Sequence, residues 1–231
     1  MSTLLLRLLD VTGLRALLRK TVLRRLYAPR GMHFPPFDAS VHRSIIVHVD
    51  YHRLATIGNA LERIRREAVQ GHLAEVGVYR GEMSAFIHRL MPERMLYLFD
   101  TFEGFPRADL PQHARDDDRF RDTSVELVLR RIGDTRNVTV RKGAVPESFG
   151  GVEGERFAFV LLDLDLLTPT LRSLEFFYPR LSPGGYLLVH DYNSPESEGA
   201  CRKALDSYMA GRPERIIDIA DIAGTALIRR L

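Results

Sequence analysis

Glu75-Val76-Gly77-Val78-Tyr79-Arg80-Gly81 is the stretch on which the reading of this chain turns. An apolar run from Leu73 to Val78 contains its first half, and a helix-compatible stretch from Met83 to Leu90 follows at once, so the pattern is strand, turn, helix. Glycine suits such a turn because a Cβ would keep the backbone from bending tightly and from letting a ligand lie against it. The free N–H groups of the following helix face that ligand. The Glu-x-Gly-x-x-x-Gly spacing differs from the Gly-x-Gly-x-x-Gly of dinucleotide sites, whose glycines admit a pyrophosphate. An acidic side chain at the start of the turn repels phosphate and suits a cation. A cofactor with an amino-acid tail and no phosphate, such as S-adenosylmethionine, fits it better than NAD.

Downstream, Met95–Phe99 reads as a second strand closed by Asp100, 25 residues after Glu75. An acid at the tip of the strand after a glycine turn is where α/β nucleotide binders hold a ribose hydroxyl pair, and its plainer role is to cap the next turn. Thr101–Arg121 is a long polar loop with Gly104, Pro106, Pro111 and the run Asp116-Asp117-Asp118, which reads as a mobile lid over the substrate or as a solvated acidic loop. A helix capped at Thr123-Ser124 runs to Ile132. A third strand spans Asn137–Arg141, and Lys142-Gly143 adds a second close-approach glycine. Phe157–Leu162 is a fully buried strand that ends in Asp163-Leu164-Asp165, with a helix over Thr168–Leu181. Pro183-Gly184-Gly185 forms a turn before the strand Tyr186–Val189, which ends in His190-Asp191. After a helix from Glu198 to Met209, two short strands, Arg215–Ile219 and Thr225–Arg229, are joined too closely for a crossover and are predicted to be antiparallel. The alternation predicts an α/β fold with a doubly wound, Rossmann-like sheet of seven strands, the last one antiparallel.

Upstream, Tyr51–Val69 places Leu54, Ile57, Leu61 and Ile64 at three- and four-residue steps, the mark of an amphipathic helix entering the core. Residues Ser2–Arg25 alternate leucine with arginine. Arg7 and Asp10 interrupt what would have to be the apolar core of a signal peptide, and the basic positions do not gather on one helical face. An N-terminal helix packing on the body or on a second subunit, a route to a homo-oligomer, is the expectation. Ala28–Gly31 and Pro35-Pro36 then make a linker. Residues 1–50 are read as an N-terminal helical extension and linker, and 51–231 as the cofactor-binding domain.

The bulk properties exclude several functions. At 231 residues, with 45% hydrophobic and 27% charged content, the chain is of ordinary single-domain α/β size. No apolar run approaches the roughly 20 residues of a membrane span. The single cysteine, Cys201, rules out an internal disulfide framework and a cysteine-built zinc site, and points to a reduced, cytoplasmic compartment. The net charge of +3 is spread along the chain and interleaved with acids, and 30 of the 33 positive side chains are arginine, which reflects a GC-rich coding sequence rather than a nucleic-acid surface.

Ligands of open α/β sheets bind beyond the carboxyl ends of the strands, where Glu75, Asp100, Asp163, Asp165, His190 and Asp191 all fall. So much acid at one edge calls for a cationic cofactor and a metal ion to balance it. Asp163, His190 and Asp191 offer the open, oxygen-rich site of Mg²⁺, or of Mn²⁺ given the imidazole, and Asp165 is placed to act as general base.

These residues carry a resemblance. The segments EVGVYRG (75–81), LFDTFEGFP (98–106), LDLDL (162–166) and YPRLSPGGYLLVHDYN (178–193) together resemble the macrocin O-methyltransferase family, over roughly Tyr51–Tyr208 and in the family's order. Those enzymes methylate deoxysugar hydroxyls in antibiotic pathways. The resemblance implies a class I methyltransferase domain with S-adenosylmethionine over Glu75, Gly77 and Gly81 and its ribose on Asp100. The full candidate set for the cofactor is Glu75, Gly77, Tyr79, Gly81, Ser84, Asp100, Thr101, Gly143 and Asp163. It further implies Mg²⁺ at Asp163, His190 and Asp191, with Asp165 as base. Two positions depart from the family. Its Asp-Asp-Tyr reads His190-Asp191-Tyr192 here, which shifts preference toward Mn²⁺, and its usual tyrosine after the Asp-x-Asp pair is Leu166 or Leu167. The expected substrate is a small glycoside or polyol. A catechol-type methyltransferase and a non-catalytic cofactor-binding protein are the alternatives.

Overall fold

The short apolar strands of residues 72–229 form one seven-stranded sheet in the order β3-β2-β1-β4-β5-β7-β6. The computed structural model describes residues 39–231; the expected N-terminal helix, its linker and any subunit contact through it lie outside the described residues. The chain divides between Asn59 and Ala60 into two compact units. In the first, helix α1 (Ala39–Val47) precedes helix α2 (Tyr51–Arg66), which runs on into the second. Leu54, Ile57, Leu61 and Ile64 are all buried, as their spacing predicts. Among the described residues no helix is long and apolar enough to cross a membrane.

Strands β1 (His72–Val76), β2 (Leu96–Asp100), β3 (Val138–Lys142), β4 (Phe157–Leu162) and β5 (Leu181–Val189) are parallel neighbours. Helices α3 (Glu82–Leu90), α4 (Val125–Ile132) and α5 (Leu167–Phe177) provide the crossovers. Helix α6 (Ala200–Met209) leads to β6 (Ile217–Asp218) and β7 (Ala226–Arg229). Strand β7 is antiparallel to both β5 and β6. All six residues of β4 are buried, which explains its unbroken apolar sequence: a parallel strand covered on both faces has no polar side to show. Phe99, Phe157 and Phe177, each 0% exposed, meet edge-to-face, with Phe99 and Phe157 both against Phe177 at 5.6 and 5.0 Å, the geometry that aromatic quadrupoles favour.

Most elements differ from the sequence reading by three residues or fewer at an end, and three differ by more or in kind. The helix expected through Leu181 ends at Phe177 and tightens into a 3₁₀ turn over Tyr178–Arg180, because Pro179 has no N–H for the helical ladder. Pro183-Gly184-Gly185 lies inside β5 rather than before it. The pairing jumps from Phe157↔Leu181 to Phe159↔Tyr186, so these residues form a bulge, and Gly184 N donates to Arg230 O at 2.8 Å. The strand expected over Arg215–Ile219 shrinks to two residues.

The chain end is tied down by Glu214, whose carboxylate accepts from the Tyr178 hydroxyl and from the Arg230 guanidinium. Burial alone would raise its pKa, but those hydrogen bonds and the N–H of Leu231 outweigh it and hold the group at about 2. A carboxyl held below its unfolded value stabilises the fold above that value and loses the contribution as pH falls toward the folded one. Glu214→Gln is therefore expected to cost about 2 kcal/mol at neutral pH and to flatten the loss of stability between pH ~4.5 and ~2, as measured by urea melts across that range.

Candidate active site

The site is built where the strand order reverses. β2 lies on one side of β1 and β4 on the other, which opens a crevice at their carboxyl ends. The registers bring the tips level: Val76 pairs with Phe99 and with Leu162, and Leu162 with Val189. The next residues continue the ladders, with Asp163 N donating to Val76 O and His190 N to Leu162 O, both at 2.8 Å. Gly77 sits in the left-handed region at φ +87°, and a Cβ there would lie 1.9 Å from the carbonyl oxygen of Asp163. Gly81, at φ +73°, would meet Val128 at 2.8 Å. Both glycines are thus required by protein packing against β4 and α4, whatever ligand lies above them.

The turn is braced by acids. Ser84 donates its hydroxyl to Glu75, which is 1% exposed. Asp100 accepts from the N–H of Val78 at 2.6 Å, Tyr79 at 2.9 Å and Phe102 at 2.7 Å, so the capping role open to it in the sequence is realised. Thr101 donates to Gly104 O at 2.6 Å and fixes the start of the long loop. The Tyr79 hydroxyl donates to Asp122 at 2.7 Å and the Arg80 guanidinium pairs with the same carboxylate. Tyr79 is thus held at its hydroxyl by Asp122, at its N–H by Asp100 and at its carbonyl by the Thr123 hydroxyl. Gly143, at φ +147°, donates its N–H to Asp100 O at 2.9 Å and extends the β2–β3 pairing.

Across the crevice, Asp163, His190 and Asp191 each present one ligand atom, and these atoms lie within 4.8 Å of one another. His190 Nδ1 is 3.0 Å from Asp163 Oδ1 and 2.7 Å from Asp191 Oδ2. Asp165 and Asp191 both adopt positive φ, +60° and +56°, a conformation that costs a non-glycine residue energy and recurs at functional sites. Burial, a hydrogen bond with Asp191 and the charges of Asp163 and Asp191 push Asp165 up to about 8. Asp191 is lowered: burial opposes its charge, but hydrogen bonds with His190 and Asp165 prevail. The two carboxyls titrate as a linked pair, with Asp165 shifted up and Asp191 down. Behind them Cys201 is buried and pushed up to about 12, chiefly by desolvation, so it is an inert thiol.

The long loop meets the segment that follows β5. Arg119 is held by Asp117, lies over the rings of Phe105 and Phe120, and pairs with Glu196 at 3.6 Å in the segment after β5. Asp117 first, and the charges of Asp165 and Glu196 after it, raise its pKa. His113 similarly meets Glu198 at 3.2 Å. Arg119, Asp122 and Ser197, whose hydroxyl donates to the carbonyl of Asp191 at 2.9 Å, are absent from the residues singled out in the sequence. None stands in a periodic element or a spaced motif, and no sequence signal marks them.

An open α/β sheet with this strand order, an acidic glycine turn at the switch point and an acid at the tip of β2 define a class I methyltransferase. The chain belongs to the macrocin O-methyltransferase family: the profile of the Macrocin-O-methyltransferase (TylF) family matches residues 43–227. It is accordingly an S-adenosylmethionine-dependent O-methyltransferase, and the non-catalytic alternative falls. It is 31% identical over 194 residues to the 8-demethyl-8-(2,3-dimethoxy-alpha-L-rhamnosyl)-tetracenomycin-C 4'-O-methyltransferase of Streptomyces olivaceus, covering 77% of this chain and 72% of that protein. It is 29% identical over 188 residues to the mycinamicin III 3''-O-methyltransferase of Micromonospora griseorubida, covering 72% of each. The fold is similar to that of the O-methyltransferase NovP, with a TM-score of 0.65 at 24% identity over 94% of this chain and 98% of that one.

The packing around Gly77 predicts a graded outcome. Gly77→Ala must displace backbone, and is expected to cost more than ~3 kcal/mol and abolish cofactor binding. Gly81→Ala presses only on a side chain and strains one φ, for roughly 1–2 kcal/mol. Denaturant melts with S-adenosylhomocysteine titrations read both.

Proposed function

We propose that this enzyme methylates a hydroxyl of a sugar or other polyol in natural-product or glycan biosynthesis. The relatives support this reading: two carry the names of methyltransferases acting on a rhamnosyl tetracenomycin and on mycinamicin III, and a third that of a demethyldecarbamoylnovobiocin O-methyltransferase. The single observation that carries it for this chain is the convergence of Asp163, His190 and Asp191 beside Asp165 at the strand tips.

Glu75, Gly77, Tyr79, Gly81, Ser84, Asp100, Thr101, Gly143 and Asp163 are the residues proposed to hold S-adenosylmethionine, whose methyl is already electrophilic. Asp100 retains acceptor capacity on Oδ1, where only one short hydrogen bond falls, so a ribose hydroxyl fits beside its capping role. The donor set of two carboxylates and one imidazole fits Mn²⁺ or Mg²⁺, and such an ion, when bound, lowers the pKa of a hydroxyl it contacts. Asp165 takes the proton. Its raised pKa belongs to the metal-free site, and a cationic neighbour draws a carboxyl back toward its charged form. The chain's work is then to align two reactants and receive one proton.

A second reading has its own observation. His190 Nδ1 is within hydrogen-bond distance of both carboxylates, so a protonated imidazole can bridge them in place of an ion. Chelation separates the two. Under the metal reading, activity vanishes in chelator, returns better with Mn²⁺ than with Mg²⁺, and His190→Asp raises Mg²⁺ affinity; full activity in chelator would abandon the metal. Separately, Asp165→Asn is expected to keep S-adenosylhomocysteine binding while turnover falls ~10²–10⁴-fold. A turnover within a few-fold of the parent removes it as base.

A further inference from the structure

We infer that Asp122 and Thr123, where the long loop runs into helix α4, are positioning residues for the cofactor: from outside the crevice they hold the glycine turn in the shape that S-adenosylmethionine requires. The inference deepens the cofactor reading proposed above and rests on it.

Between Gly77 and Gly81 the turn consists of Val78, Tyr79 and Arg80, and of these three only Tyr79 adopts a positive φ, +50°. A bulky side chain keeps that left-handed conformation only where its surroundings over-determine it. On one side of the Tyr79 Cα, Asp100 Oδ2 accepts the N–H groups of Val78 and Tyr79 at 2.6 and 2.9 Å. On the other side, Thr123 donates its hydroxyl to the Tyr79 carbonyl. The φ and ψ of Tyr79 are the rotations between those two peptide planes, so the two sets of bonds together fix them.

Asp122 holds the side chains of the same turn. Its Oδ1 accepts from the Tyr79 hydroxyl at 2.7 Å, its Oδ2 pairs with the Arg80 guanidinium, and its carbonyl accepts from Arg80 Nε at 3.1 Å. The Tyr79 ring meets Phe120 edge-to-face at 5.1 Å and carries the Arg80 guanidinium 5.2 Å from its centroid. The hydrogen bond between Tyr79 and Asp122 is the first cause that lifts the tyrosine above its ordinary pKa and the first that lowers the aspartate.

The loop end is itself firmly seated. Ser124 caps α4 by accepting from Leu127 N at 3.2 Å, and Val128 of that helix packs where a Cβ on Gly81 would fall. Without Asp122 and Thr123, Tyr79 is free to leave its strained φ, which swings the turn's backbone and loosens Tyr79 N from Asp100, the residue proposed to take the ribose. The Asp122 side chain is 59% exposed, so its ion pair adds little to the stability of the fold, and its loss falls on the ligand instead.

Calorimetric titration of the full chain with S-adenosylhomocysteine, beside urea melts of the ligand-free protein, tests this. Asp122→Ala and Thr123→Val are each expected to weaken binding ~tenfold, with the urea midpoint nearly unchanged. Asp122→Asn keeps an acceptor and Thr123→Ser a hydroxyl, and both should stay within ~threefold of the parent. Adding Tyr79→Phe to Asp122→Ala should weaken binding by less than ~twofold more, because the two changes remove one shared hydrogen bond. Unchanged affinity in one of the two truncations removes that residue's role; in both, it overturns the inference while the cofactor reading stands. A loss that the conservative variants fail to rescue, or one matched by a fall in the ligand-free urea midpoint, makes the contacts merely structural and overturns it as well. A parent chain that does not take up S-adenosylhomocysteine overturns the methyl-transfer reading and this inference with it.

Discussion

The approach of Gly77 to the carbonyl of Asp163 is the constraint on which the site depends. With a Cβ position 1.9 Å from that oxygen, the tips of β1 and β4 can lie side by side only if residue 77 has no side chain. That closeness sets the glycine turn, Asp163 and, one strand further, His190 along a single edge. The same contact fixes which way the chain leaves each strand, because Asp163 N is bonded to Val76 O and Gly77 N to Phe99 O. Three strand tips are thus locked by backbone bonds before any side chain does chemistry.

On that frame the electrostatics follow. Asp100 and Glu75 are neutralised locally, by backbone N–H groups and by a serine hydroxyl, so they brace the turn without repelling one another across it. The acids that follow β4 and β5 are linked to one another and to the His190 imidazole. Unbalanced carboxylates at one rim favour cationic partners, which is what a sulfonium cofactor offers. The positive φ of Asp165 and Asp191 shows that the fold holds these acids in place at some cost in backbone energy.

The long loop joins the two sides of the crevice. Asp122 receives Tyr79 and Arg80 at its end, and Arg119 and His113 meet the segment after β5. Exposed ion pairs of this kind contribute little stability each, so a loop tied by them can open at small cost. Arg119 differs from the rest because aromatic rings and the two oxygens of Asp117 orient it.

Much of this was legible in residue order. The glycine turn, the strand-end acids and the period of apolar residues announced an α/β sheet with its ligands at one edge, because local backbone demands and burial leave direct marks on sequence. Asp163, His190 and Asp191 were separable as a group because all three end buried strands. Length and register were less legible: Pro179 cut a helix short, and Pro183-Gly184-Gly185 proved a bulge within β5, since a proline-glycine cluster reads the same in either place. Tertiary structure alone decided that Asp100 also braces the glycine turn of β1, that Gly77 is required by Asp163, and that Arg119 from the long loop meets Glu196. Each is a contact between segments more than 20 residues apart, and no local pattern records it.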